Sequence, residues 1–240
     1  MDNTVSVGMN RTGLDMAPKS RDTLVDFARE QASRASTETQ AWADLHKAYG
    51  LEADRVGSVP VPARLKGMAT AVKQGLKGNK PQVLIDKLGE RLAYERTGVR
   101  LYEALAMKIT TASQGFAPEL DQVRRIRDDE LAHFEMLGRF LQQIGADPTA
   151  MTPCADVAGV AASGHLQVLT GPRTSVAPAL NSILAIELAD NASWELLIHL
   201  VKEAGHDQME QAFEVALETE ERHLMTVRSW LQQAVLEEAT

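Results

Sequence analysis

The chain has 240 residues, of which 44% are hydrophobic, so it can bury a sizeable core and is not expected to be disordered as a whole. The formal net charge of −8 argues against a nucleic-acid partner and against docking on an anionic membrane. A single cysteine, Cys154, excludes an intramolecular disulfide and any zinc site built from several thiolates. Because we find neither an apolar signal segment nor a transmembrane-length apolar run, we expect a cytoplasmic protein.

Residues 1–80 are interpreted as an N-terminal arm and helical extension to the main domain. Residues 1–20 show no clear period and are interpreted as an arm. A helix is predicted at 21–49, and the glycines and prolines of 50–63 indicate a linker. The basic stretch 64–77 predicts a short amphipathic helix, for which we favour packing against the main domain over binding to a membrane surface.

Residues 81–240 are predicted to form four long helices. Their approximate spans are 81–113, 118–144, 178–204 and 207–237, with Pro118 in the first turn of the second helix. The connection between the second and third helices is long and rich in proline and glycine, with room for a short crossover helix near 155–169. This short, long, short series of connections predicts an all-α fold, an antiparallel four-helix bundle with one long crossover.

The sequence Glu-x-x-His occurs in two of the predicted helices, at 130–133 and at 220–223. Residues three apart on a helix lie on one face, so a carboxylate and an imidazole in this spacing can bind one metal ion. The pattern is weak by itself, because it occurs again at 203–206, where a predicted turn separates the two side chains. Position on the helix distinguishes the first two pairs from the third.

Both pairs interrupt apolar stripes with a period of three to four residues, which should face the core. The other two long helices each carry one glutamate on such a stripe, Glu95 and Glu187. An unpaired carboxylate buried in a core costs several kcal/mol, whereas a whole domain is stable by only about 5–15 kcal/mol. Four carboxylates that face one another therefore need cations, and two divalent ions would balance their charge.

The two helical hairpins also repeat each other in sequence. Glu95 and Glu187 are 92 residues apart, and the two Glu-x-x-His sequences are 90 residues apart. An aromatic residue follows the first glutamate of each hairpin after seven positions, Tyr102 in one and Trp194 in the other. The matching register indicates that both hairpins present equivalent side chains to a shared site.

With these elements in order, residues 86–235 resemble the ferritin-like superfamily, which includes bacterioferritins, rubrerythrins and di-iron oxygenases. The resemblance implies a ferritin-like bundle that holds two iron ions, with manganese as the alternative. It implies as ligands Glu95, Glu130, His133, Glu187, Glu220 and His223. It further implies that Glu130 and Glu220 bridge the two ions. Tyr102 is expected beside them as the candidate catalytic residue, unless it is a plain core aromatic.

Two further acidic residues stand near the predicted ligands. Asp129 and Asp190 either accept hydrogen bonds from the ligand histidines and so orient them, or face solvent. The simplest alternative to a metal site is a coincidental set of glutamates and histidines that forms salt bridges in an ordinary bundle.

Three functions follow from these interpretations. The leading one is a di-iron oxidase or oxygenase that acts through O2 or peroxide on an unknown small molecule. The alternatives are a ferroxidase and iron-storage protein, and a non-enzymatic helical interaction module with a vestigial site. The single cysteine excludes the Cys-rich iron module of rubrerythrins. The N-terminal extension, which ferritins lack, argues against a storage cage and favours a monomer or a small homo-oligomer.

Overall fold

The computed structural model describes residues 81–112 and 115–240, together with residues 26, 47, 48 and 59. Residues 81–112 and 115–240 contain five α-helices and no strand. The helices are α1 (Pro81–Thr111), α2 (Leu120–Gln143), α3 (Pro153–Thr170), α4 (Val176–Glu203) and α5 (Asp207–Glu238). All five belong to the unit Arg55–Thr240. Apart from those four single residues, the predictions for the N-terminal extension lie outside the described residues.

The helices form the predicted all-α bundle. Helices α1 and α2 pack as one hairpin, α4 and α5 as the other, and α3 is the crossover that packs against α1 and α4. Helices α1 and α4 are antiparallel, because Arg91 in the first half of α1 contacts Asp190 midway along α4. At the other end of α1, Lys108 donates hydrogen bonds to the backbone just before α4. No helix among the described residues is long and apolar enough to cross a membrane.

The helix boundaries differ slightly from the prediction. Helix α2 begins two residues after Pro118, because Glu119 keeps an extended backbone conformation with φ −63° and ψ 128°. The crossover helix is present, and it begins at Pro153, where the missing N–H removes no intrahelical hydrogen bond. Gly145 and Gly205 follow the ends of α2 and α4 with φ of 85° and 72°, a conformation that favours glycine.

The core of the bundle consists of two apolar clusters with a polar layer between them. One cluster has members on all four long helices, including Leu105, Val123, Ile183 and Val227. The other lies at the end of the bundle where α1 begins, and it includes Leu88, Leu137, Leu197 and Phe213. On each long helix, the segment between the two clusters contains at least one buried polar residue, such as Glu95 on α1 and Glu187 on α4. The interruptions of the four apolar stripes therefore meet at one level.

Candidate metal centre

All six predicted ligands lie in the polar layer, and none is more than 8% exposed. Glu95 comes from α1, Glu130 and His133 from α2, Glu187 from α4, and Glu220 and His223 from α5. Helical periodicity alone turns each of them inward, because each occupies a position that would otherwise hold an apolar core residue. The packing of the two hairpins then brings the six side chains together.

Two groups of three side chains have potential ligand atoms that all lie within 4.8 Å of one another. The first group consists of Glu95, His133 and Glu220, and the second of Glu130, Glu220 and His223. Glu220 belongs to both groups and is placed where it could bridge two ions. Glu130, the other predicted bridge, belongs to the second group alone. The arrangement is compatible with a di-metal site centred on Glu220.

Glu187 is the predicted ligand that lies outside both groups. Its Oε1 accepts a hydrogen bond from the hydroxyl of Tyr102, whereas its Oε2 is buried and has no hydrogen-bond partner among the described residues. Burial and the nearby carboxylate of Glu220 raise the pKa of Glu187 to about 8. Burial likewise raises the pKa of Tyr102. The tyrosine therefore lies against a predicted ligand and holds its proton there.

A shared cation would satisfy the buried carboxylate and imidazole atoms of the layer better than hydrogen bonds between them do. Within the described residues, both oxygens of Glu95, Oε1 of Glu220 and Nδ1 of His133 have no hydrogen-bond partner. His133 Nδ1 lies 2.6 Å from Glu220 Oε1 and 3.6 Å from Glu95 Oε2, but it is aligned with neither for a hydrogen bond. Buried polar atoms are rarely left unpaired unless an ion or water satisfies them. Two divalent ions would satisfy Glu95 Oε2, Glu220 Oε1 and His133 Nδ1. Glu95 Oε1, in contrast, already lies 2.9 Å from Arg91 Nε.

In the metal-free layer, protons on the two histidines balance part of the negative charge of the carboxylates. Burial lowers the pKa of His133, but the carboxylates of Glu220 and Glu95 outweigh it and raise this pKa to about 9. The pKa of His223 rises against burial to about 12, because Asp129 and two glutamates surround the ring. Burial opposes ionisation of Glu220, yet its two histidine neighbours lower its pKa to about 2. Metal binding at neutral pH must therefore displace protons from both rings.

The two acidic residues near the ligands make different contacts. His223 Nε2 lies 3.1 Å from Asp129 Oδ2 and donates to it, while the opposite nitrogen, Nδ1, faces Glu130 and Glu220. Asp129 therefore orients His223, a predicted ligand, as one of the two interpretations held. For Asp190 that interpretation was wrong, because its carboxylate instead accepts a hydrogen bond from Arg91 on the adjacent helix α1.

Arg91 is a site residue that the sequence did not single out. It is 2% exposed, and its Nε lies 2.9 Å from Glu95 Oε1. The sequence signal was available, since Arg91 precedes Glu95 by four positions and therefore shares its helix face. The paired guanidinium adds a fixed positive charge beside the first ligand group.

Gly98 and Asn191 also support the site without contributing a ligand atom. A Cβ at position 98 would overlap the carboxyl group of Glu130, whose Cδ would be 2.7 Å away. An isolated glycine inside a helix indicates a packing reason of this kind. Asn191 Nδ2 donates to the backbone oxygens of Glu187 at 2.9 Å and of Glu220 at 3.2 Å, and so ties α4 to α5 at the level of the site.

The fold and the site together define a helical bundle in which two carboxylate and histidine groups converge on one shared glutamate. Residues 85–236 match the family model described as Ferritin-like domain. Since this match covers more than half of the chain, the protein belongs to the ferritin-like domain family. Comparisons with curated proteins and with solved structures gave no match.

Proposed function

We propose that the protein is a di-metal carboxylate oxidase or oxygenase that acts through O2 or peroxide. The observation that supports it is the convergence of two three-ligand groups on Glu220, several of whose buried carboxylate and imidazole atoms are held in close charge pairs without aligned hydrogen bonds among the described residues. Ligands that are carboxylates and imidazoles, without thiolates, suit iron first and manganese as the alternative. The two apolar clusters above and below the layer would exclude water from the site.

Five of the six predicted ligands would hold the two ions in a defined arrangement, and Glu187 stands beside them. Glu95 and His133 would bind one ion, Glu130 and His223 the other, and Glu220 both. Bound iron would supply the redox chemistry with O2 or peroxide, which protein side chains alone do not provide.

The surrounding residues would orient these ligands. Asp129 accepts a hydrogen bond from His223 Nε2 and so keeps the Nδ1 lone pair directed at the ion. Tyr102 donates to Glu187 Oε1 and leaves Oε2 available to the site. As the candidate catalytic residue, Tyr102 would hold Glu187 in place on that side of the layer and keep its own proton there.

Iron loading and oxygen consumption test this function. The full-length protein, purified without added metal, is loaded anaerobically with ferrous iron and then exposed to O2 with a reductant. The proposal expects about two ions per chain, O2 consumption that continues over many turnovers, and iron that stays at that number. Large amounts of mineralised iron in a closed shell would instead support the storage function. Absence of any iron uptake would support the interaction module.

The chain provides a matched control for the ligand assignment. Glu203 and His206 have the same spacing as the two ligand pairs, but Glu203 is exposed and His206 lies at the turn between α4 and α5. His206→Ala should therefore retain both ions, whereas His223→Ala should lose at least one. Equal depletion in the two variants would contradict the placement of the site. Sedimentation of the wild type should show a monomer or a small homo-oligomer.

A further inference from the structure

A cleft of about 330 Å³ lies between α1, α3 and α4, beside the polar layer. Alanines form much of its wall, Ala158, Ala161 and Ala162 on α3 and Ala185 and Ala189 on α4. Because these side chains are small, α3 and α4 leave a space between them. The volume falls at the lower end of the range of small-molecule sites, roughly 300–1,000 Å³.

Arg91 lines this cleft and connects it to the candidate metal centre. Its terminal nitrogens donate to the side chain and backbone of Asp190, and its Nε lies 2.9 Å from Glu95 Oε1. Its guanidinium also lies 4.2 Å from the ring centroid of Tyr94, which lines the cleft as well. One buried side chain therefore contacts both the cleft and a predicted metal ligand.

The lysine and arginine that line the cleft are each paired with a carboxylate of the protein. Lys87 Nζ lies 2.6 Å from Glu90 Oε2, and Arg91 is paired with Asp190. The histidine that lines the cleft, His165, also has a partner, because its Nδ1 lies 2.9 Å from Ser182 Oγ. A charged ligand would have to displace one of these pairs or give up its hydration without a new partner. An uncharged, apolar ligand avoids both costs, and the burial of its surface against the alanines favours binding.

We propose that this cleft binds the organic substrate of the oxidase, and that the substrate is a small, uncharged and mainly apolar molecule. Its role as substrate rests on the proposed function, whereas its binding in the cleft does not. Arg91 forms the wall between this molecule and Glu95, so the substrate is held beside the metal layer without direct contact with that ligand.

Three probes with the same ring and different charge test the ligand class: benzyl alcohol, benzoate and benzylammonium. Their binding to the full-length protein, with and without iron, is measured by calorimetry. Benzyl alcohol should saturate at one molecule per chain and bind at least about tenfold more tightly than either ion. Tighter or equal binding of benzoate or benzylammonium would overturn the proposed ligand class, and no saturable binding of any probe would overturn the site.

Substitutions on α4 test the location. Ala189→Phe should fill the cleft and weaken benzyl alcohol binding at least about tenfold, and Ala185→Phe serves the same purpose if the first variant does not fold. Ala192→Phe is the matched control, since Ala192 is exposed on the same helix and does not line the cleft. Binding that is unaffected by both filling substitutions would overturn the proposal. Binding that persists in a protein that takes up no iron would count against the oxidase function and not against the cleft.

Discussion

The two helical hairpins present equivalent predicted ligands in the same register, but they surround them differently. His133 of the first hairpin packs edge-on against Trp194, with ring centroids 5.6 Å apart. His223 of the second hairpin instead donates from Nε2 to Asp129, a carboxylate that is half exposed. The residue 90 positions after Asp129 is Thr219, so no carboxylate occupies the repeat-equivalent position.

A second difference lies on the first helix of each hairpin. Gly98 and Asp190 occupy equivalent positions, 92 residues apart. Gly98 leaves the space that the carboxyl group of Glu130 fills, whereas Asp190 carries a carboxylate that is paired with Arg91. The repeat therefore preserves the residues that would bind metal and not the residues that orient them. Two ions in this site would have different environments and different affinities.

The largest effect is expected from the residue that both ligand groups share. Glu220→Ala should abolish binding of both ions, whereas Glu95→Ala should remove mainly the ion of the first group, because Glu95 belongs to that group alone. Metal content per chain after equilibration with ferrous iron measures the difference. Glu203→Ala is the control and should bind as the wild type does. Glu220→Gln replaces Glu220→Ala if the alanine variant cannot be purified. Tight retention of one ion by the Glu220 variant would contradict the shared role of Glu220.

A somewhat smaller effect is expected from a single methyl group at Gly98. Gly98→Ala should displace the carboxyl group of Glu130 and weaken the ion of the second group roughly 100-fold, as loss of supporting geometry does in other metal sites. Gly138→Ala is the matched control in α2, because its Cβ would meet nothing closer than 4.0 Å. That control should keep its metal and gain about 0.5–1 kcal/mol of stability. Titration with iron measures the metal affinity of both variants, and thermal unfolding measures their stability.

Substitution of Asp129 should have a weaker effect, because at this half-exposed position water can accept the hydrogen bond from His223 instead. Asp129→Ala should lower the affinity of the second ion roughly tenfold and leave the first unchanged. Thr219→Ala, at the equivalent position of the repeat, should change neither affinity. Competition titrations with a chelator measure both affinities. Equal effects of the two substitutions on metal affinity would contradict a functional difference between the hairpins.

The smallest expected effect is the change in the stability of the metal-free protein with pH. The pKa of His133 is about 9 and that of His223 about 12, so the first ring should deprotonate while the second remains charged. A histidine pKa raised from 6.5 to about 9 stabilises the fold fully below pH 6.5, and this contribution is lost as the pH rises through 9. The pKa of Glu187, raised from 4.5 to about 8, acts in the same direction.

The melting temperature of the metal-free protein should therefore fall between about pH 6.5 and pH 9. Nuclear magnetic resonance of the two histidine rings would measure their order of deprotonation. A melting temperature that rises over this interval, or a His223 ring that deprotonates before His133, would contradict the electrostatic difference between the hairpins.

The sequence by itself determined the helices and the level of the site. Helical periodicity is a local property, so Glu95, Glu187 and the two Glu-x-x-His pairs could be assigned to inward faces before any packing was known. Their register within two repeated hairpins then predicted one shared layer, and the structure brings the six side chains into it. The family resemblance was confirmed, because residues 85–236 match the family model described as Ferritin-like domain.

Only the tertiary structure decided which side chains meet across helices. The pairing of Arg91 with Asp190, the contact of Tyr102 with Glu187 and the space that Gly98 leaves for Glu130 all join different helices. Such contacts depend on the distance, tilt and rotamers of helices that are far apart in sequence, none of which a helical period specifies. For the same reason the alanine-lined cleft between α3 and α4 could be found only after the crossover helix was in place.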